Sequence, residues 1–126
     1  MDRYEDVTME YQDCATKLKN SSLPNVDGFE KYEVFCRRLG RKWRVRILCI
    51  LAHEQELRYC ELKGALAPIT HKMLSEELGN LVEDGFIVRK EYGGVPVKVM
   101  YSLSPLGKEF LFSFSSMAEW IDKYLG

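Results

Sequence analysis

Between Ile69 and Asp84 the chain reads ITHKMLSEELGNLVED, a helix that carries its own start and stop signals. Thr70 supplies an N-cap oxygen, Leu74, Leu78, Leu81 and Val82 recur at i, i+4, i+7 and i+8, and Gly85 offers the left-handed residue on which helices end. One face is therefore predicted to enter a core. On the other side the first turn holds Thr70, His71, Lys72 and Ser75, polar groups at the positive end of the helix dipole. Such an array suits phosphates and base edges, although a plain solvated face has the same composition. The neighbouring segments decide between the two.

Upstream, Tyr59 to Leu66 packs Leu62, Ala65 and Leu66 inward as a shorter helix, and Ala67 and Pro68 make the turn into the longer one. Helix, short turn, helix is the helix-turn-helix arrangement. Downstream, Phe86 and Val88, then Val97, Val99, Tyr101 and Leu103, alternate with polar residues across a GGVP loop, which predicts two antiparallel strands with their tip at Gly93 and Gly94. A hairpin in that place is a wing. Its Arg89, Lys90 and Lys98 are placed to touch the backbone or the minor groove beside a helix in the major groove. The expected fold is mainly α with a small β-hairpin wing, a winged helix-turn-helix.

Ahead of this unit, Phe29, Tyr32, Phe35, Cys36 and Leu39 give a short amphipathic helix with Cys36 on its core face, closed by Gly40. Between Arg37 and Arg46 lie six basic residues (Arg37, Arg38, Arg41, Lys42, Arg44 and Arg46) and no acidic one. Beneath them Trp43, Ile47, Ile50 and Leu51 form an apolar stripe, so a basic helix end fixed over a core can serve as a phosphate clamp. The formal net charge of −1 gives no basic excess, but acids elsewhere, five of them before residue 14, hide this patch in the sum. The candidate DNA contacts are Arg41, Lys42 and Arg44 for phosphates, Thr70, His71, Lys72 and Ser75 for the groove, and Arg89 with Lys98 on the wing.

Both ends read as helices in need of a partner. Tyr4, Val7, Tyr11, Cys14 and Leu18 make a two-heptad seam, followed by the turn-forming SSLPNVDG. Residues 1–28 are accordingly expected to be an arm and hinge, and residues 29–126 a winged helix-turn-helix domain ending in a dimerisation helix. Ser104 and Pro105 cap that last helix. Phe110, Phe114, Met117, Ile121 and Tyr124 form its stripe, and Leu111, Phe112, Ala118 and Trp120 carry apolar surface well round it. One small domain cannot cover so wide a face, which points to a twofold homodimer through Tyr4, Val7, Tyr11 and Leu18 at one end and Phe110, Phe114, Met117, Trp120 and Ile121 at the other.

The remaining features exclude other classes. With 126 residues the chain holds one ordinary domain, and no apolar run approaches the ~20 residues needed to cross a bilayer. The start, MDRYEDVTMEYQDC, is too acidic for a signal peptide, so the expected location is cytoplasmic. Cys14, Cys36, Cys49 and Cys60 are widely spaced, giving neither a zinc motif nor a disulfide framework. His53 and His71 have no paired nucleophile, and no acidic pair, metal motif or phosphate-cradling glycine loop is present. Neither an enzyme nor a cofactor is expected.

Four segments together carry a resemblance: GRKWRVRIL (40–48), RYCELKGAL (58–66), ITHKMLSEELGNLVEDGFIVR (69–89) and VPVKVMYSLSPLG (95–107). Over roughly residues 30 to 120 the chain resembles the HxlR-type, MarR-like winged-helix transcriptional regulators. The resemblance implies a dimer that binds a twofold or near-twofold operator in double-stranded DNA, with helix 70–84 in the major groove, hairpin 87–103 as wing, and terminal helices in the interface. Members often carry Cys followed by Pro ahead of the Trp motif; here Glu30 and Lys31 stand there, so that redox chemistry is not carried over. Cys60, near Arg58 and Lys63, is a separate candidate for a sensory thiol. The reading helix also departs, with Glu76, Glu77 and Gly79 on the side expected to be exposed and one Lys against four acids over residues 70–84. That opens an alternative: a winged-helix dimer that has lost DNA affinity and acts as a protein-interaction module. An unknown small-molecule effector between the last helix and the first two is left open.

Overall fold

The computed structural model describes residues 28–126; the N-terminal arm, with Tyr4, Val7, Tyr11 and Leu18, lies outside the described residues. Within them the order is α1 (Glu30–Leu39), α2 (Arg44–Glu54), β1 (Glu56–Leu57), α3 (Tyr59–Ala65), α4 (His71–Glu83), β2 (Ile87–Tyr92), β3 (Lys98–Leu103) and α5 (Pro105–Tyr124). β3 is central in a three-stranded antiparallel sheet of order β1-β3-β2. The hairpin runs from Ile87 opposite Leu103 to Tyr92 opposite Lys98, and Leu57 pairs with Tyr101. Five helices and a small antiparallel sheet make this a winged helix-turn-helix fold.

Local chemistry sets the boundaries. Thr70 Oγ1 accepts from the Met73 N–H at 3.1 Å and starts α4. Its end is a Schellman motif: the Gly85 N–H donates to the Val82 carbonyl, the Phe86 N–H donates to the Leu81 carbonyl, and Gly85 takes φ 85°. Ser104 Oγ accepts from the Gly107 N–H and donates to the Gly85 carbonyl, tying the start of α5 to the end of α4. A Cβ at Gly107 would collide with the Phe86 carbonyl, so only glycine lets α5 begin this close to the segment after α4.

The core collects Ile47, Leu48 and Leu51 of α2, Leu62 and Leu66 around α3, Ile69, Leu74, Leu78 and Leu81 around α4, and Ile87 and Leu103 of the hairpin. It thus locks both helices of the helix-turn-helix to the wing. Several expected positions fall elsewhere. Val82, about 80° round the helix from Leu74 at 3.6 residues per turn, sits at the stripe's edge and is 38% exposed. Ala65 is exposed, while Trp43 and Ile50 are half-buried. In the hairpin, the turn at Gly85 resets the phase, so Ile87 is buried and Val88 exposed; Val97 lies outside β3 and faces solvent. Cys36 is exposed rather than in the core, because α1 buries none of its residues.

Candidate nucleic-acid interface

The first turn of α4 stands free at one end of the core. His71, Lys72 and Ser75 are all exposed there, just after the Thr70 cap. Tyr59, the first residue of α3, reaches across to them. Its hydroxyl lies 3.1 Å from His71 Nδ1 and 3.3 Å from Ser75 Oγ, and its ring lies parallel to the imidazole with centroids 5.8 Å apart. Behind this bracket a cleft of about 390 Å³ opens between α3, α4 and the wing, lined by Tyr59, Ser75, Val82, Arg89 and Tyr101 among others.

The acids of α4 behave unlike their expectation. Glu77 follows Leu74 by three residues and precedes Leu81 by four, which places it on the apolar stripe, and it is only 2% exposed. Arg41 Nη1 donates to its Oε1 at 3.0 Å, and Arg44 Nε lies 3.8 Å from its Oε2, an ion pair longer than a hydrogen bond. Arg44 Nη1 also donates to Asp84 Oδ2 at 2.9 Å, and Arg38 Nη1 to Asp84 Oδ1 at 3.3 Å. Three arginines therefore neutralise two of the four acids between Thr70 and Asp84. Only Glu76 and Glu83 remain exposed on this helix.

The same cluster corrects the clamp. Arg44 is 4% exposed and faces inward to Asp84 and Glu77, so it holds α4 rather than reaching for a phosphate. Arg41 is half-exposed but tied to Glu77. Lys42 is exposed with its ammonium over the Trp43 ring at 4.7 Å, and Arg46 covers the same ring at 5.2 Å. On the wing, the Lys90 and Lys98 ammonium groups lie 5.2 and 5.9 Å from the Tyr92 ring centre. Arg89 Nη1 donates to Glu91 Oε1 at 2.7 Å; that bond and one with Tyr101 push its pKa further up, which keeps it charged. An exposed pair of this kind is worth little and can be exchanged for a phosphate.

Sequence reasoning missed Tyr59, Tyr92 and the inward turn of Glu77. Only the last had a signal, its i+3 and i−4 spacing to Leu74 and Leu81. Of the cysteines, Cys60 is exposed, and burial pushes the Cys49 thiol up, away from thiolate character. Among the described residues no His, Cys, Asp and Glu group is arranged to hold a metal ion, and no helix is long and apolar enough to cross a membrane. Between α1, α2 and α5 lies a cavity of about 220 Å³ that includes Phe35, Leu48, Phe86 and Phe110 in its lining. Ligand pockets usually hold roughly 300–1,000 Å³, so this one admits only a small molecule unless its walls move.

A family model described as HxlR-like helix-turn-helix matches residues 38–126, which takes in α2, the helix-turn-helix, the wing and α5. The chain belongs to the HxlR-like family. An HTH-type transcriptional regulator from Bacillus subtilis, YdzF, is 44% identical over 89 residues, 71% of this chain and 82% of the relative. Among solved structures, the reduced form of the B. subtilis transcriptional regulator YodB aligns with TM-score 0.67 at 25% identity, covering 81% of this chain and 95% of that one. The transcriptional regulator YtfH from Salmonella typhimurium aligns with TM-score 0.63 at 31% identity, covering 82% and 92%. The HxlR-like chain is a winged helix-turn-helix transcriptional regulator of the DNA-binding type, and its relatives are regulators rather than enzymes.

Proposed function

We propose that this HxlR-like protein acts as a homodimer on a twofold or near-twofold operator, with α4 in the major groove and the β2–β3 wing on the flanking backbone or minor groove. One observation carries the reading. The acids of α4 that would repel a duplex most, Glu77 and Asp84, are turned inward and paired with arginines, leaving His71, Lys72 and Ser75 to lead the exposed turn. The protein-interaction alternative rested on four unpaired acids and loses half of them.

Lys42 and Lys72, with Lys90, Lys98 and Arg89 on the wing, are the cations placed for phosphates; Thr70, His71 and Ser75 present polar groups to base edges. Arg44 is assigned to positioning α4. Lys98→Ala tests the wing contact. It is expected to weaken binding to every duplex and to flatten the log Kd against log salt slope by about 0.9 if one phosphate contact is lost. An unchanged slope would place Lys98 off the DNA.

The dimer is assigned to α5. Phe110 and Phe114 are half-buried in their own chain, Phe110 against the rings of Phe35, Phe86 and Phe114. Outward stand Phe112, 82% exposed, with Met117, Trp120 and Ile121, an apolar face wide enough to favour burial against its symmetry mate.

A further inference from the structure

Tyr59 makes three contacts with one hydroxyl, and counting their protons fixes the state of His71. Its oxygen lies 3.1 Å from His71 Nδ1, 3.2 Å from the His71 carbonyl oxygen and 3.3 Å from Ser75 Oγ. A phenol has one proton to donate and two lone pairs to accept with. The carbonyl can only accept. If all three contacts are hydrogen bonds, the phenol proton goes to the carbonyl, and both Nδ1–H and the Ser75 hydroxyl donate to the phenol. Any other arrangement faces the phenol and carbonyl lone pairs at 3.2 Å and forfeits a bond.

We infer that Tyr59 is a positioning residue that holds neutral His71 with its proton on Nδ1, so that the bare Nε2 accepts a hydrogen bond from a base's exocyclic amine in the major groove. The parallel rings keep the imidazole in this orientation. His71 is exposed, opens the first turn of α4, and no described residue meets its Nε2. In the major groove the amines are adenine N6 and cytosine N4, whereas guanine O6 and N7 and thymine O4 are acceptors that an unprotonated nitrogen repels. His71 therefore selects an amine-bearing base edge through a tautomer set one helix away. The inference rests on α4 entering the groove, but the tautomer itself can be tested without DNA.

The first test is two-bond ¹H–¹⁵N correlation of the His71 ring in the DNA-free protein at mildly alkaline pH. The parent is expected to show the Nδ1–H pattern, and Tyr59→Phe, which deletes only the hydroxyl, a shift toward Nε2–H. An Nε2–H parent overturns the inference. The second test starts from a duplex selected out of a random pool. Each adenine is replaced by purine lacking the 6-amine, and each cytosine by an analogue lacking the 4-amine, so that the two arms distinguish the two bases. One position per half-site is expected to lose affinity by roughly tenfold in the parent, the size of a base-edge contact, and by little in Tyr59→Phe or His71→Ala. No position coupled to His71 overturns the base contact while leaving DNA binding intact. A parent with the Nδ1–H pattern that binds no duplex overturns the groove reading, and the base contact with it.

Discussion

Arg44→Ala is expected to destabilise the fold by about 3–5 kcal/mol, because it removes one partner from a buried charge cluster and leaves the other in place. The guanidinium of Arg44 is the only buried cation facing Glu77 among the described residues; Arg41, the second partner, is half in solvent. Without Arg44, Glu77 stays desolvated against Leu74, Leu78 and Leu81 with a single screened partner, and Asp84 keeps only the exposed Arg38. Arg41→Ala should therefore cost much less, about 0–1 kcal/mol, as expected for an exposed arm. The double change Arg44→Met with Glu77→Leu removes both charges and should recover most of the loss. Urea unfolding of the four proteins gives the comparison directly. An Arg44→Ala midpoint within experimental error of the parent would show that the cluster does not hold α4 to α2.

The second large effect belongs to the dimer. Met117→Glu combined with Trp120→Glu places two charges on the outward face of α5, where both side chains are exposed in the protomer, so each chain should fold as before. Sedimentation should then report a monomer in place of a dimer. Affinity for a twofold duplex should fall by about 10²-fold or more, since one protomer no longer raises the local concentration of the other at the second half-site. Circular dichroism that matches the parent separates this outcome from unfolding. A variant that remains dimeric would move the interface off this face.

Most of the fold is legible in the sequence where its determinants are local. The Thr70 cap, the Gly85 terminus, the Ser104–Pro105 start and the apolar repeat of α4 each act within a turn or two, and all stand where the residues indicate. The charge cluster is legible only in part. Glu77 shows its inward position in its spacing, but its partners Arg41 and Arg44 come from 36 and 33 residues away, beyond any helical period. Arg44 looked like clamp because no acid is near it in sequence, and the acids that claim it arrive by folding. Tyr59 and His71 are separated by twelve positions and a turn, so neither predicts the other. The phase of β2 failed for a different reason: the left-handed Gly85 redirects the chain, and Ile87 rather than Val88 meets the core.

The most direct measurement is fluorescence anisotropy of a labelled mixed-sequence duplex titrated with the protein at several salt concentrations, because phosphate binding requires no knowledge of the operator. If α4 and the wing of both protomers lie on DNA, binding is saturable and Kd rises steeply with salt. The log–log slope should be steeper than about −4, at roughly 0.9 per phosphate neutralised. A folded dimer that binds no duplex even at low salt, or binds with no dependence on salt, would contradict the account and turn attention to Glu76 and Glu83 as the surface of a protein-binding helix.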